Sequence, residues 1–147
     1  MKIYIEIPIV GELCDYGFFK VGCNFTKAEL YQNIDKRCLL QAIMLLDMKY
    51  NDDFVSDDFT EKSIDEYVQN VKNNYTDKQS NILRSAVQYL TDAFPQKNIH
   101  LTPKNIPILI YLADWAQDMY IQPEDFRVWW QQFSKKDTLS DDDDENN

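Results

Sequence analysis

The stretch from 102 to 133, TPKNIPILIYLADWAQDMYIQPEDFRVWWQQF, is the most apolar and most clearly punctuated part of the chain. Thr102 followed by Pro103 is typical of a helix start, because proline at the first helical position loses only a backbone donor that has no partner there. Apolar residues then recur three and four positions apart, which predicts one buried helical face. These residues are Ile106, Leu109, Ile110, Ala113 and Ala116.

A second helix start lies within the same stretch. Pro123 stands at the first helical position, and Glu124 and Asp125 follow in the first turn, where carboxylates interact favourably with the positive end of the helix dipole. The apolar residues of this short helix are Phe126, Trp129, Trp130 and Phe133. The two helices predict a helical hairpin against which the other helices pack.

Three further helix starts share one signature, a Ser or Thr followed three positions later by Glu or Gln. They begin at Thr26, Ser63 and Thr76, and each such residue pair can satisfy two backbone amides of the first turn. The helix that follows Thr26 is predicted to continue to about Tyr50. Because the chain has only three Gly and five Pro, its composition also favours helices over a turn-rich β fold.

The apolar residues of the N-terminus recur with a different period from those of the helices. Isoleucines alternate with other residues over 2–10, and a period of two indicates a strand with one buried face. The aromatic-rich run 17–25 is predicted to pair with this strand. We therefore expect an N-terminal β-hairpin.

Together these elements predict a mainly α fold with a single globular domain over 1–133. It comprises a short β-hairpin at 1–25 and a bundle of about five helices at 26–133. A chain of 147 residues is long enough to bury a core without disulfides or a metal. Residues 134–147 include five consecutive acids and have little apolar surface to bury, which predicts a disordered acidic tail.

Charge and hydropathy narrow the classes of partner. The net charge is −10, from 25 acidic against 15 basic residues, and such a field repels phosphate, so we expect no direct nucleic-acid binding. The sequence lacks the uninterrupted run of ~18 apolar residues that a membrane span needs. Acidic residues near the N-terminus do not fit a signal peptide. These features predict a cytoplasmic protein with no membrane partner.

Motifs for catalysis or metal binding are missing from the sequence. It contains no Gly-rich phosphate loop, nucleophile elbow, H-E-x-x-H or C-x-x-C, and its only histidine is His100. Three cysteines without close spacing predict reduced, buried thiols, with a disulfide between Cys14 and Cys23 as the alternative. The acidic segment 51–61 does not match a calcium loop, since Asp58 stands where glycine is needed. We predict no catalytic residue, no cofactor and no metal.

Two features remain as candidate partner-binding surfaces. The first is an acidic segment whose alternative interpretation is a solvated linker; its residues are Asp52, Asp53, Asp57 and Asp58. The second is the aromatic cluster around Trp129 and Trp130, which are about 100° apart on a helix and can hardly enter the same core. Trp115 and Arg127 are predicted to flank it, and Trp and Arg are enriched in interface hot spots. The alternative is a core with one residue at its rim.

These features favour a non-enzymatic binding protein that covers a basic surface on another protein, as an inhibitor, immunity or anti-defence factor would. A second hypothesis comes from a family resemblance. Its features are Asp35-Lys36-Arg37 before an apolar helix, Tyr89 to Phe94, Leu101 to Leu112, and Pro123-Glu124-Asp125-Phe126 with Trp129. By this helix order and apolar pattern, residues 36–133 resemble the helical region that follows the catalytic domain in ParB-like, modification-dependent restriction nucleases.

The family's catalytic loop, an Asp-Gly-Gln-Gln-Arg type of sequence, is not present in this chain. The resemblance therefore implies a helical accessory module related to defence nucleases that has no active site of its own.

Overall fold

The computed structural model describes residues 7–50, 59–71 and 76–145. Within these ranges the chain is mainly helical and contains no strand. The elements are α1 (Pro8–Leu13), a π turn (Phe18–Gly22), α2 (Lys27–Tyr31), α3 (Ile34–Tyr50), α4 (Glu61–Val71), α5 (Asp77–Ala93), α6 (Ile106–Asp118) and α7 (Pro123–Glu145). None of the described helices is long and apolar enough to cross a bilayer. The predicted mainly α class is confirmed.

Helix α6 occupies the centre of the fold, where it packs against both α3 and α5. The apolar face predicted for it is confirmed, because every one of its residues is buried: Ile106, Leu109, Ile110, Ala113 and Ala116. The facing residues of α3 and α5 are equally buried, among them Ile43, Leu83 and Leu90. The hydrophobic core is therefore a three-helix contact that the remaining elements extend.

Helix α7 packs chiefly against α5 rather than against α6. The prediction that α6 and α7 pack against each other as a hairpin is therefore wrong. The turn between them explains the change of direction. Tyr120 has a left-handed φ of 57°, and the amides of Tyr120 and Ile121 donate to the carbonyls of Gln117 and Ala116 at 3.1 and 3.0 Å. This hydrogen-bond pattern is a Schellman motif. The hydroxyl of Tyr89 on α5 donates to the carbonyl of Ile121 at 2.7 Å and holds the turn on α5.

The predicted N-terminal β-hairpin is wrong for the described residues, since 7–25 contain α1 and the π turn and no strand. Residues 1–6 lie outside the described part of the chain. Pro8 begins a helix instead of marking an edge strand, and the three-residue spacing of Val10 and Leu13 buries them together. The π turn is held on α5, where the Phe18 amide donates to the Thr91 hydroxyl at 3.2 Å. This contact spans 73 residues, so the local period could not reveal it.

Two of the three predicted capping boxes are confirmed. The Thr26 hydroxyl accepts from the Glu29 amide at 3.1 Å and the Glu29 carboxylate accepts from the Thr26 amide at 2.9 Å; Thr76 and Gln79 repeat the pattern at 3.2 and 2.8 Å. Ser63 is not the cap of α4. Instead the Thr60 hydroxyl accepts from the Ser63 amide at 3.3 Å, so the helix begins one turn earlier.

Two other helix boundaries also differ from the prediction. The helix after Thr26 is interrupted, because Asn33 adopts a left-handed φ of 61° between α2 and α3; asparagine tolerates this region better than most residues do. Helix α6 starts at Ile106 with a proline in its first two positions, so Pro107 rather than Pro103 stands at the helix start.

At the C-terminus the structure describes helical backbone to Glu145, and the disordered acidic tail expected over 134–147 stays a prediction. Ser134, the first residue assigned to that tail, is buried, and its hydroxyl donates to the Trp130 carbonyl at 2.7 Å. No Gly or Pro follows Phe133, so the chain carries no helix-breaking residue at that boundary.

Candidate interaction surface

One face of α7 anchors this helix to the rest of the protein. Phe126, Trp130 and Ser134 are spaced four residues apart and are all buried, which places them on one stripe. The Phe126 ring meets the rings of Tyr89 and Phe94 edge to face, with centroids 5.6 and 6.5 Å apart. Perpendicular packing of this kind is a preferred geometry for aromatic rings. The stripe therefore fixes the orientation of α7 on α5.

A second stripe of α7 faces solvent. Trp129 and Phe133, also four residues apart, keep 43% and 51% of their surface exposed. Their rings stack with centroids 5.6 Å apart and planes 22° from parallel, and Trp129 also contacts the buried Phe126 at 5.5 Å. We refer to Trp129 and Phe133 as the α7 aromatic pair. It is a preformed apolar surface supported from beneath by the core.

The structure separates the residues that the sequence grouped around this surface. Trp130, predicted to bind a partner, is only 3% exposed and belongs to the core. Its predicted place on the partner-binding surface is therefore corrected. Arg127 faces α5, where its Nη1 donates to the Ala93 carbonyl at 3.0 Å and satisfies a carbonyl at the end of that helix. Phe133 was missed as a surface residue, although its spacing from Trp129 was the available signal.

Trp115 is 45% exposed but lies over a different contact, between α3 and α6. The Lys49 ammonium lies 4.1 Å from the centre of its indole ring, a cation–π distance. The same ammonium is 2.6 Å from the Asp114 carboxylate, which also accepts a hydrogen bond from the Tyr50 hydroxyl at 2.6 Å. We call Lys49, Tyr50 and Asp114 the α3–α6 ion cluster. Nothing in the sequence pattern indicated it.

The ion cluster links packing to protonation. Burial alone would lower the pKa of Lys49, but the hydrogen bond to the Asp114 carboxylate raises it above its usual value. Burial raises the pKa of Tyr50, and its hydrogen bond to Asp114 adds to the effect. Both groups therefore hold their protons more tightly in the folded chain than in the unfolded one. Their contribution is present below about pH 10 and is lost as the pH rises through the raised values.

Asp114→Asn is therefore expected to lower the free energy of unfolding by about 2 kcal/mol at neutral pH, because it leaves the Lys49 ammonium with a neutral partner in a largely buried site. The variant should also lose less stability than the wild type between pH 9 and 11. Chemical denaturation across that pH range measures both effects. Asp118→Asn is the control: it removes a carboxylate 3.6 Å from Lys49 that is 61% exposed and should change stability little. Equal effects of the two substitutions would contradict the cluster's role.

The acidic candidates Asp52, Asp53, Asp57 and Asp58 lie outside the described residues, so their assignment to a partner surface stays a prediction. The described acids include a pair at the start of α7, where Glu124 and Asp125 are both exposed. They precede the α7 aromatic pair by about one helical turn. Negative charge and exposed aromatic surface are thus adjacent on one helix.

The three cysteines are free and buried, as the sequence predicted. Burial raises the pKa of Cys14 and of Cys38 to about 12 and raises that of Cys23 as well. The thiolate, which is the nucleophile and the metal ligand, is therefore scarce at neutral pH. Among the described residues no group of three His, Cys, Asp or Glu is placed to hold a metal ion.

His100 is placed by its backbone in the turn before α6. Its amide donates to the Asn98 side chain at 2.9 Å, and its carbonyl accepts from the Asn105 side chain at 2.8 Å. The cysteines are buried in the core around α1, the π turn and α3.

Comparisons of the chain with models of protein families, with curated proteins and with solved structures find no match.

Proposed function

We propose that this protein is a non-enzymatic, acidic binding protein that acts by contact with another protein and covers a basic surface on it, as an inhibitor, immunity or anti-defence factor would. The observation that carries the proposal is the α7 aromatic pair. Two large rings stacked on each other and exposed by roughly half are unusual on a surface that only meets water. Rigid aromatic side chains supply contact area with little loss of conformational freedom on binding.

Charge supports the choice of a basic partner. The chain carries a net charge of −10, and a field of one sign accelerates encounter with a surface of the opposite sign. Glu124 and Asp125 place part of that charge close to the aromatic pair. Charge would then set the rate of association, and the aromatic pair would set the lifetime of the docked complex.

A pull-down compares the wild type with Trp129→Ala/Phe133→Ala, each used as bait in a lysate of the source organism with and without DNase. We expect a protein that the wild type retains and the double variant loses, with no effect of DNase. Once that partner is known, Trp129→Ala should raise the dissociation rate about 30-fold or more, which corresponds to about 2 kcal/mol for a hot-spot residue. Surface plasmon resonance at several salt concentrations measures the rates.

Val128→Ala serves as the matched control, because Val128 is an exposed apolar residue on the same helix without a ring to stack. It should bind like the wild type. If the double variant captures the same proteins as the wild type, the α7 aromatic pair is not the contact. Capture that DNase abolishes would point to nucleic acid and contradict the proposal.

The helical accessory module implied by the family resemblance remains the alternative hypothesis. It predicts that the captured protein is a nuclease subunit whose activity depends on this chain. An inhibitor would instead reduce the activity of its partner. Measuring the partner's activity with and without the purified protein separates the two.

A further inference from the structure

A cavity of about 480 Å³ opens between α3 and α6, a volume typical of small-molecule sites. Most of its wall is apolar, formed by Ile34, Leu45, Phe59, Pro103, Pro107 and Ile108. The Phe59 carbonyl accepts a hydrogen bond from the side chain of Gln41 at 3.2 Å, and both residues line the cavity. No residue of α7 lines it, so it is a separate place from the α7 aromatic pair.

Two cations, Arg37 and Lys104, also line this cavity. The Arg37 side chain is half-buried, and its Nε is fully buried with no hydrogen-bond partner in the described part of the chain. A buried N–H without an acceptor costs free energy that a suitable acceptor would recover.

Neither cation forms an ion pair with a described carboxylate, whereas Lys49 and Arg84 each lie 2.6–2.7 Å from one. Asp35, on the same helix as Arg37, does not line the cavity and lies 3.9 Å from the Lys36 ammonium. Within the described residues, therefore, two cations without a carboxylate partner face one apolar cavity. The net charge of the protein is negative.

We propose that this cavity binds a small amphipathic anion, with an apolar body against the walls and a carboxylate or phosphate head between Arg37 and Lys104. A planar guanidinium can donate two parallel hydrogen bonds to either head group, and the lysine adds a mobile point charge. The net charge of −10 opposes anions in general. Affinity therefore depends on this local pair of cations and should fall sharply when one is removed.

Isothermal titration calorimetry with three probes of equal chain length tests the proposal: octanoate, octyl phosphate and octyltrimethylammonium, each below its aggregation concentration. We expect one or both anions to bind and the cation not to bind, and the tighter anion identifies the head group. Arg37→Met keeps an unbranched aliphatic stem and removes the charged guanidinium, so it should weaken anion binding about tenfold or more. Lys104→Met should weaken it severalfold.

Lys97→Met is the matched control, since Lys97 is exposed and does not line the cavity; it should bind the anions like the wild type. Ile108→Trp places a large side chain at the exposed mouth and should abolish binding. The circular dichroism of each variant is compared with that of the wild type first. If Arg37→Met does not fold, Lys104→Met decides the question, because its side chain is exposed.

Several results would overturn the assignment. The cation probe could bind as tightly as the anions, which would mean that Arg37 and Lys104 do not select charge. Binding that is unchanged in Lys104→Met or that survives Ile108→Trp would place the probe elsewhere. Failure of both anions to bind and to raise the thermal midpoint of the wild type at saturating concentration would mean that the cavity takes no such ligand.

Discussion

Replacing Leu109 with alanine is expected to lower the free energy of unfolding by about 2–5 kcal/mol. Leu109 is fully buried on α6, the helix that packs against both α3 and α5. Because α3 and α5 lie on two sides of α6, the surrounding side chains can relax only partly into the space that the lost methyl groups leave. Urea denaturation followed by far-ultraviolet circular dichroism gives the change in free energy. Ile43→Ala tests the same contact from α3 and should cost a similar amount.

The control for this prediction is Ile108→Ala. Ile108 is the neighbour of Leu109 in the sequence but is 43% exposed, so its truncation should cost less than about 1 kcal/mol. A cost at Leu109 no larger than that at Ile108 would show that the buried face of α6 has been assigned to the wrong side of the helix.

Trp130→Ala is expected to destabilise the protein by about 3–5 kcal/mol, the range for loss of a large buried aromatic side chain. Only 3% of Trp130 is exposed, and its ring lies 5.8 Å from that of Phe133 and 6.2 Å from that of Trp129. Its removal therefore opens a cavity between α7 and the core. Denaturant unfolding measures the loss, and tryptophan emission of the wild type and the variant reports the burial of the missing ring.

Trp129→Ala is the matched substitution on the same helix. Because 43% of Trp129 remains exposed, its truncation should cost about 1 kcal/mol or less in stability while reducing partner binding. The two substitutions should thus have different effects: Trp130→Ala should reduce stability, and Trp129→Ala should reduce partner binding. If Trp129→Ala destabilises the protein more than Trp130→Ala does, the orientation of α7 on α5 is wrong.

The buried faces of the helices could largely be predicted from the sequence. Five apolar residues of α6 recur at helical spacing and all are buried, because a helix that packs on one side imposes that period on its composition. The capping boxes at Thr26 and Thr76 could be predicted equally well, since their hydrogen bonds join residues three apart in the chain. Such signals depend only on neighbouring residues.

The aromatic surface could be predicted from the sequence only in part. Adjacent tryptophans about 100° apart on a helix imply that one of them leaves the core, but the choice depends on where α5 lies. Contact with Tyr89 and Phe94 orients Phe126 and, four residues later, Trp130 inward. That rotation leaves Trp129 and Phe133 to solvent.

The sequence by itself determined the helical class, the helix starts at Thr26, Thr76 and Pro123, and the buried face of α6, because each follows from interactions among residues within a turn or two of each other. Tertiary structure alone decided the N-terminal π turn, the rotation of α7 and the pairing of Lys49 with Asp114. These contacts join residues 73, 34 and 65 positions apart. Their partners become neighbours only when the helices pack, so the free energy that selects them has no counterpart in the local pattern of the chain.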